Sequence, residues 1–147
     1  MVDVGASGVV ILKDGKVVLV QENKDYNRGL WNLPCGKLEP NENIFKAAVR
    51  EAKEETNLDV ELDGLVGVYQ SINQKGVDAI RFIFKAKVLG GVFRKQEDEL
   101  LDARWFDLEE VKRMRIEEFS WPGVRDAVMD CIHRGTIDSK YLTSYIK

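Results

Sequence analysis

The chain is short of the groups on which most nucleophilic catalysis depends. It has one histidine, His133, so Ser-His-Asp and Cys-His schemes have a single base to share. That histidine falls in a segment that reads as helix. The only two cysteines, Cys35 and Cys131, stand far apart and have no metal-ligand spacing. They read as packed, reduced thiols. No apolar run approaches the roughly 18–20 residues of a membrane span. Met1 to Gly5 lacks the basic and apolar regions of a signal peptide, so a cytoplasmic protein is expected. A basic surplus is missing too: 22 Lys and Arg face 25 Asp and Glu, a net charge of −3. That balance argues against a general nucleic-acid binder. It leaves open an anionic small molecule held through a metal.

What is present is an ordinary globular composition. Of 147 residues, 44% are hydrophobic and 32% charged, which excludes a disordered chain. The length suits one domain, 1–147, and such a chain buries roughly 68–70% of its unfolded surface without a disulfide or structural metal.

The chain opens with a hairpin pattern. Ala6 to Leu12 and Lys16 to Gln21 are rich in β-branched residues, and Lys13-Asp14-Gly15 is a turn between them. Glu22 to Gly29 reads as loop, and Leu30 to Pro34 as a short extended piece, because a residue before proline is pushed out of the helical region. Gly36 to Asn43 reads as loop. Asn43 is placed to cap a helix over Ile44 to Thr56, with Asn57 at the left-handed position beyond its end. Strands are expected at Val60 to Gln70, Ala79 to Leu89 and Arg104 to Phe106. Helices are expected at Leu108 to Met114 and Pro122 to Arg134. Val124, Ala127, Val128 and Cys131 recur at three- to four-residue spacing, so the last helix should pack on the sheet. The pattern is α+β, or a sandwich of a sheet between helices.

The stretch that carries chemistry is Arg50-Glu51-Ala52-Lys53-Glu54-Glu55. At 100° per residue, Glu51, Glu54 and Glu55 share an arc of about 100°. Phe45, Val49, Ala52 and Thr56 fall on the other side, giving an apolar face and a separate carboxylate face. A solvated charged face would account for this, and Arg50 with Glu54 is a favourable pair. Against it, Glu51 repels both Glu54 and Glu55. All three acids also lie in the last two turns, where the helix dipole disfavours them. A hard divalent cation, Mg²⁺ or Mn²⁺, would relieve both costs.

The surrounding spacing extends the pattern. Gly36 is followed by Glu42, then Arg50-Glu51, then Glu54-Glu55 and an apolar Leu58. The run GKLEPNENIFKAAVREAKEETNL, residues 36–58, resembles the Nudix box. The opening hairpin, Leu30-Trp31-Asn32-Leu33-Pro34 and Ala103-Arg104-Trp105-Phe106 resemble the flanks of Nudix hydrolases. One position departs from the family pattern: Asn57 stands where glycine is usual, and Asn tolerates the same backbone conformation.

The resemblance implies an α/β/α sandwich with a mixed sheet, and Mg²⁺-dependent hydrolysis of a diphosphate linkage. The expected substrate is a nucleoside di- or triphosphate or a related pyrophosphate. It implies Glu51, Glu54 and Glu55 as metal ligands, with the Gly36 carbonyl as a further one. The general base remains open among Glu51, Glu54 and a late-loop glutamate, Glu97 or Glu99, of which Glu99 is preferred. Arg50 and Glu42 are expected to orient the glutamates. Arg81, Arg28 and Trp31 are candidates to touch substrate, although Arg81 would equally serve as a solvent-facing strand residue and Trp31 as core. The run LWNLPCGKLEPNE, the RFIF strand, DELLDARWF and Ser120-Trp121-Pro122 are similar to the small phosphatase branch, which acts on nucleoside tri- and diphosphates and on thiamine or hydroxymethylpyrimidine pyrophosphates. The implied partner is a small phosphate anhydride, with neither nucleic acid nor membrane, in a monomer or homodimer. The alternative is a catalytically idle Nudix domain that senses nucleotides.

Overall fold

The computed structural model describes residues 2, 4–72 and 76–147. Met1 and Asp3, part of the N-terminal reading above, lie outside them. Seven strands form one mixed sheet: β1 (Val4–Lys13), β2 (Lys16–Glu22), β3 (Trp31–Asn32), β4 (Cys35–Lys37), β5 (Asp59–Ile72), β6 (Asp78–Gly90) and β7 (Leu100–Asp107). The main order is β3-β2-β1-β6-β5, with β4 added to β1 and β7 to β2. β1 runs parallel to β6 from Val4 to Ile11. On its other edge it pairs antiparallel with β4 at Ala6 to Gly8, then with β2 at Leu12 and Lys13. Gly8 allows this exchange, since a Cβ there would collide with Cys35 and the Pro34 carbonyl.

β1 carries apolar side chains on both faces because both are covered. Ala6 and Val10 point into one core cluster with Leu19, Ile83, Phe119, Trp121 and the final helix. Val9 and Ile11 point into the other, with Val18, Phe84, Ala48 and Ala52. Ile11, Leu19 and Phe84 have no exposed surface; burial of each contributes about 1.5–3 kcal/mol. Helix α1 (Ile44–Thr56) covers the second face, and α2 (Leu108–Arg113) and α3 (Val124–His133) cover the first. This is the expected α/β/α sandwich.

α1 begins and ends where its caps dictate. Asn43 Oδ1 accepts from Phe45 N (2.8 Å) and Lys46 N (3.3 Å), and Asn57 takes φ 62° in the left-handed region. α3 starts at Val124, two residues later than expected, because Ser120 to Gly123 form a turn against β3: Ser120 N donates to Trp31 O (2.9 Å). Val124, Ala127, Val128 and Cys131 of α3 are buried, as their spacing requires. Cys35 and Cys131 are free and buried. Among the described residues, no helix is long and apolar enough to cross a membrane.

Two sequence expectations are corrected. Gly36 and Lys37, read as the start of a loop, form strand β4 with Cys35, because the free edge of β1 takes up their backbone groups. The carboxylate face of α1 is not separate from its packed face. Glu51 and Glu55 are buried beside Ala47, Ala48 and Ala52, and only Glu54 is exposed. β4 lies over that side of the helix and covers both acids.

Candidate active site

The last two turns of α1 abut β4 at its glycine. A Cβ on Gly36 would fall on the Glu51 carboxyl group, so the bare backbone there is what admits Glu51. Burial pushes the Glu51 carboxyl up to about 6, against the pull of Arg50. Glu55 is driven further in the same direction by burial and then by the charges of Glu22 and Glu51. Its Oε2 accepts from Cys35 N (3.3 Å).

Arg50 organises the exposed side of this cluster. Its Nε and Nη2 donate to the two oxygens of Glu42 (2.5 and 2.8 Å). Its Nη1 reaches Glu51 Oε1 (2.9 Å) and Glu54 Oε2 (3.0 Å), and Nη2 reaches the Lys37 carbonyl (3.2 Å). The guanidinium fork on Glu42 holds that carboxyl below its ordinary range. One cation thus ties the loop before the helix to two glutamates on it.

Glu22 belongs to the same cluster, although sequence reading left it in a loop. It ends β2, is only 5% exposed, and is pushed up by burial, against the pull of Asn32. Asn32 Nδ2 donates to Glu22 Oε1 (3.0 Å), and Asn32 Oδ1 accepts from Trp121 Nε1 (2.9 Å). Period-two alternation along β2 (Val18, Val20, Glu22) was the signal available, since Val18 packs on the α1 side of the sheet. Nothing in the local sequence pointed to Asn32 or Trp121 as its partners.

Beside the carboxylates lies a cleft of about 260 Å³, lined by Glu22, Lys24, Gly36, Arg81 and Trp121 among others. Arg81 sits with its guanidinium 4.5 Å from the centre of the Trp121 ring and donates from Nη1 to Ser71 Oγ (2.8 Å). Burial lowers its affinity for the proton, and no carboxylate among the described residues faces it. Lys24 lies within the field of Glu22, Glu55 and Glu99.

The remaining sequence candidates are placed as follows. Glu99 is exposed, yet its charge is felt at both Glu22 and Glu51. Glu97 pairs with Lys95 (3.3 Å) and is 78% exposed, in a separate surface groove that Glu54 also lines. Trp31 does not line the cleft: it packs edge-on against Phe106 at 4.7 Å, with Arg104 over its ring, on the far side of β3. Arg28 is exposed and likewise outside the cleft wall. His133 ends α3, also outside that wall.

The donor set fits a hard divalent cation. Glu51 and Glu55 are buried carboxylates that repel each other and Glu22, and the exposed Glu54 stands beside them. Among the described residues, no three acidic side chains converge on one ligand point, and Arg50 holds one oxygen each of Glu51 and Glu54. Oxygen ligands of this type are what Mg²⁺ and Mn²⁺ take.

The sequence model of the NUDIX domain matches residues 1–127, and the chain belongs to the Nudix family. It is 37% identical over 101 residues to the human 8-oxo-dGDP phosphatase NUDT18, an alignment covering 67% of this chain and 30% of the human protein. It is 34% identical over 110 residues to an ADP-ribose pyrophosphatase of Methanocaldococcus jannaschii, covering 74% of this chain and 64% of that one. The chain therefore spans under a third of the human relative's length. A NUDIX hydrolase from Nitrosomonas europaea has the same fold over 97% of both chains, with a TM-score of 0.88 at 28% identity.

Proposed function

We propose that this chain hydrolyses a phosphoric anhydride in a nucleoside di- or triphosphate or a related pyrophosphate, with Mg²⁺ or Mn²⁺ as cofactor. The observation that supports the reading is the buried cluster of Glu22, Glu51 and Glu55, whose member Glu22 lines a cleft that also presents Lys24 and Arg81. An acid cluster beside cationic side chains suits a ligand that is itself anionic and arrives with a cation. The activities of the human and archaeal relatives, on 8-oxo-dGDP and ADP-ribose, support a nucleoside diphosphate derivative as substrate.

Glu51, Glu54 and Glu55, with the Gly36 carbonyl, would hold the cation. When bound, it supplies charge neutralisation of the phosphates and a lowered pKa for water. The chain's own residues do the rest. Arg50 fixes the carboxylates through Glu42. Lys24 and Arg81 face the phosphate charge. Glu51, with its raised proton affinity, or the nearby Glu99, takes the proton of the attacking water. The protein is read as a single cytoplasmic domain working on a small molecule, as monomer or homodimer.

The test is release of phosphate or nucleoside monophosphate from 8-oxo-dGDP, ADP-ribose, the common nucleoside di- and triphosphates, and thiamine diphosphate. Each is assayed with Mg²⁺ and with chelator, for the native chain and Glu51→Gln. Mg²⁺-dependent turnover lost in the variant is expected. Tight nucleotide binding with no turnover of any anhydride would favour the idle sensing domain.

A further inference from the structure

Two buried oxygens in the cleft have no partner. Asn27 Oδ1 and Ser120 Oγ make no hydrogen bond, each in a residue only 8% exposed. Both residues line the cleft beside the carboxylate cluster. Folded proteins leave few buried polar atoms unpaired, because each costs its lost hydration. The neighbouring wall does not supply what they lack. The Asn32 amide is engaged with Glu22 on one side and Trp121 on the other, and Arg81 Nη1 is directed to Ser71. The other two unpaired oxygens among the described residues, Ser7 Oγ and Asn23 Oδ1, belong to residues that do not line the cleft.

We propose that Asn27 and Ser120 are specificity-determining residues that accept hydrogen bonds from the N–H edge of a nucleobase. The proposal rests on the phosphate-anhydride reading of the same site. An amide oxygen only accepts, so its missing partner is a donor. Phosphate oxygens are acceptors and cannot fill that role. The donor to Asn27 must therefore come from the group attached to the phosphates, and Ser120, whose hydroxyl both donates and accepts, stands beside it on the same wall. A planar base fits the walls better than a sugar. Tyr26 and Trp121 contribute aromatic side chains to the wall, with the Arg81 guanidinium over the Trp121 ring, and Trp121 is locked in orientation by its bond to Asn32. About 260 Å³ is below the usual range for whole ligands, so the cleft takes one ring system beside Asn27 and Ser120, and the phosphates extend past the Lys24 and Arg81 side chains of the same wall towards Glu51.

The test uses nucleoside 5′-monophosphates, which contain no anhydride and are not turned over. AMP, GMP, CMP and UMP are titrated calorimetrically, beside purine riboside monophosphate, whose base has no N–H donor, and ribose 5-phosphate, which has no base. At least one base bearing donors is expected to bind roughly tenfold or more tightly than purine riboside monophosphate. Ser120→Ala and Asn27→Ala should each remove about tenfold of that preference and leave purine riboside monophosphate unaffected. The melting temperature of Ser120→Ala without ligand should stay level or rise, because an unpaired buried oxygen has gone. Should Asn27→Ala fail to fold, Ser120→Ala alone decides the matter. Equal weakening of all ligands in the variants overturns the proposal, as does purine riboside monophosphate matching the four common nucleotides. If ribose 5-phosphate shows the same dependence on Asn27 and Ser120, sugar hydroxyls are the donors and the nucleobase assignment falls. Absence of hydrolysis would sink the catalytic reading and leave this binding result standing.

Discussion

Glu51 and Gly36 share one small volume: the Glu51 carboxyl stands where residue 36 would carry its Cβ. The strand and the helix therefore approach so closely that only a residue without a side chain fits at position 36. Gly36→Ala should displace Glu51 while leaving both core clusters intact. Turnover should fall on the order of 10²-fold, the scale of a 1 Å misplacement, with the far-ultraviolet circular dichroism unchanged. Native turnover in Gly36→Ala would show that this contact does not matter to the site.

The glutamates should separate by role. Glu51→Gln removes a charge and a proton acceptor, so a loss of about 10²–10⁴-fold is expected for a base, plus weaker metal binding. Glu55→Gln should act through the metal, and high Mg²⁺ should recover part of its loss. Glu99→Gln decides where the base sits: a loss rivalling that of Glu51→Gln and insensitive to Mg²⁺ places it at Glu99, whereas about tenfold marks a minor role. Turnover against Mg²⁺ concentration for each variant checks all three, and the same titration carried into excess EDTA should bring the native chain to background.

Stability without metal should fall as pH rises. The folded state holds protons on Glu51, up to about 6, and on Glu55 and Glu22, also raised, that the unfolded chain has released. Where the native state binds more protons, stability declines with pH. Glu42 acts oppositely, since Arg50 holds it low and its contribution is lost only as pH falls through the ordinary carboxylate range. In chelator, the melting temperature should drop by a few degrees between about pH 5.5 and 8, and Mg²⁺ should flatten the slope. A melting temperature that climbs over this interval would contradict the burial of these acids.

Arg50 should not be replaceable by lysine. Its fork binds Glu42 through two nitrogens while a third reaches Glu51 and Glu54. A lysine keeps the charge and loses that geometry. Arg50→Lys is expected to lower turnover and to cost about 1–2 kcal/mol, the scale of a charge-assisted hydrogen bond. Denaturant titration beside the rate measures both, and a variant native in both would remove Arg50 from its organising role.

The last helix should matter to stability alone. Val128 has no exposed surface and lies in the cluster with Leu19 and Ile83. Val128→Ala should cost about 1–3 kcal/mol through the cavity it leaves. The Mg²⁺ requirement should not change. A folded Val128→Ala protein without turnover would tie α3 to the site.

Much of the molecule was set locally, and so could be read in the chain. Asn43 and Asn57 bound α1 because a side-chain cap and a left-handed residue act over a few positions. The box spacing from Gly36 to Glu55 is likewise local, since one helix carries most of its carboxylates. The β-branched runs of β1 and β2 and the three- to four-residue period of α3 marked the buried residues, as both are properties of a short stretch of chain. What only the tertiary structure decided depends on contacts between distant segments. Strand β4 exists because the free edge of β1 needs a partner, and its hydrogen bonds give no signature in three residues. That same strand buries Glu51 and Glu55, which helical periodicity alone placed on a face separate from the packed one. Trp31, equally open to a substrate wall or to the core, packs half-buried against the edge of the core, where Phe106 and Arg104 of β7 meet it. In the hydrogen-bonded chain Glu22–Asn32–Trp121, the step from Asn32 to Trp121 joins residues 89 apart in sequence. Such a chain forms only when the β2 end, β3 and the turn before α3 are brought together, because hydrogen bonds reach about 3 Å and sequence spacing says nothing about which distant groups fall within it.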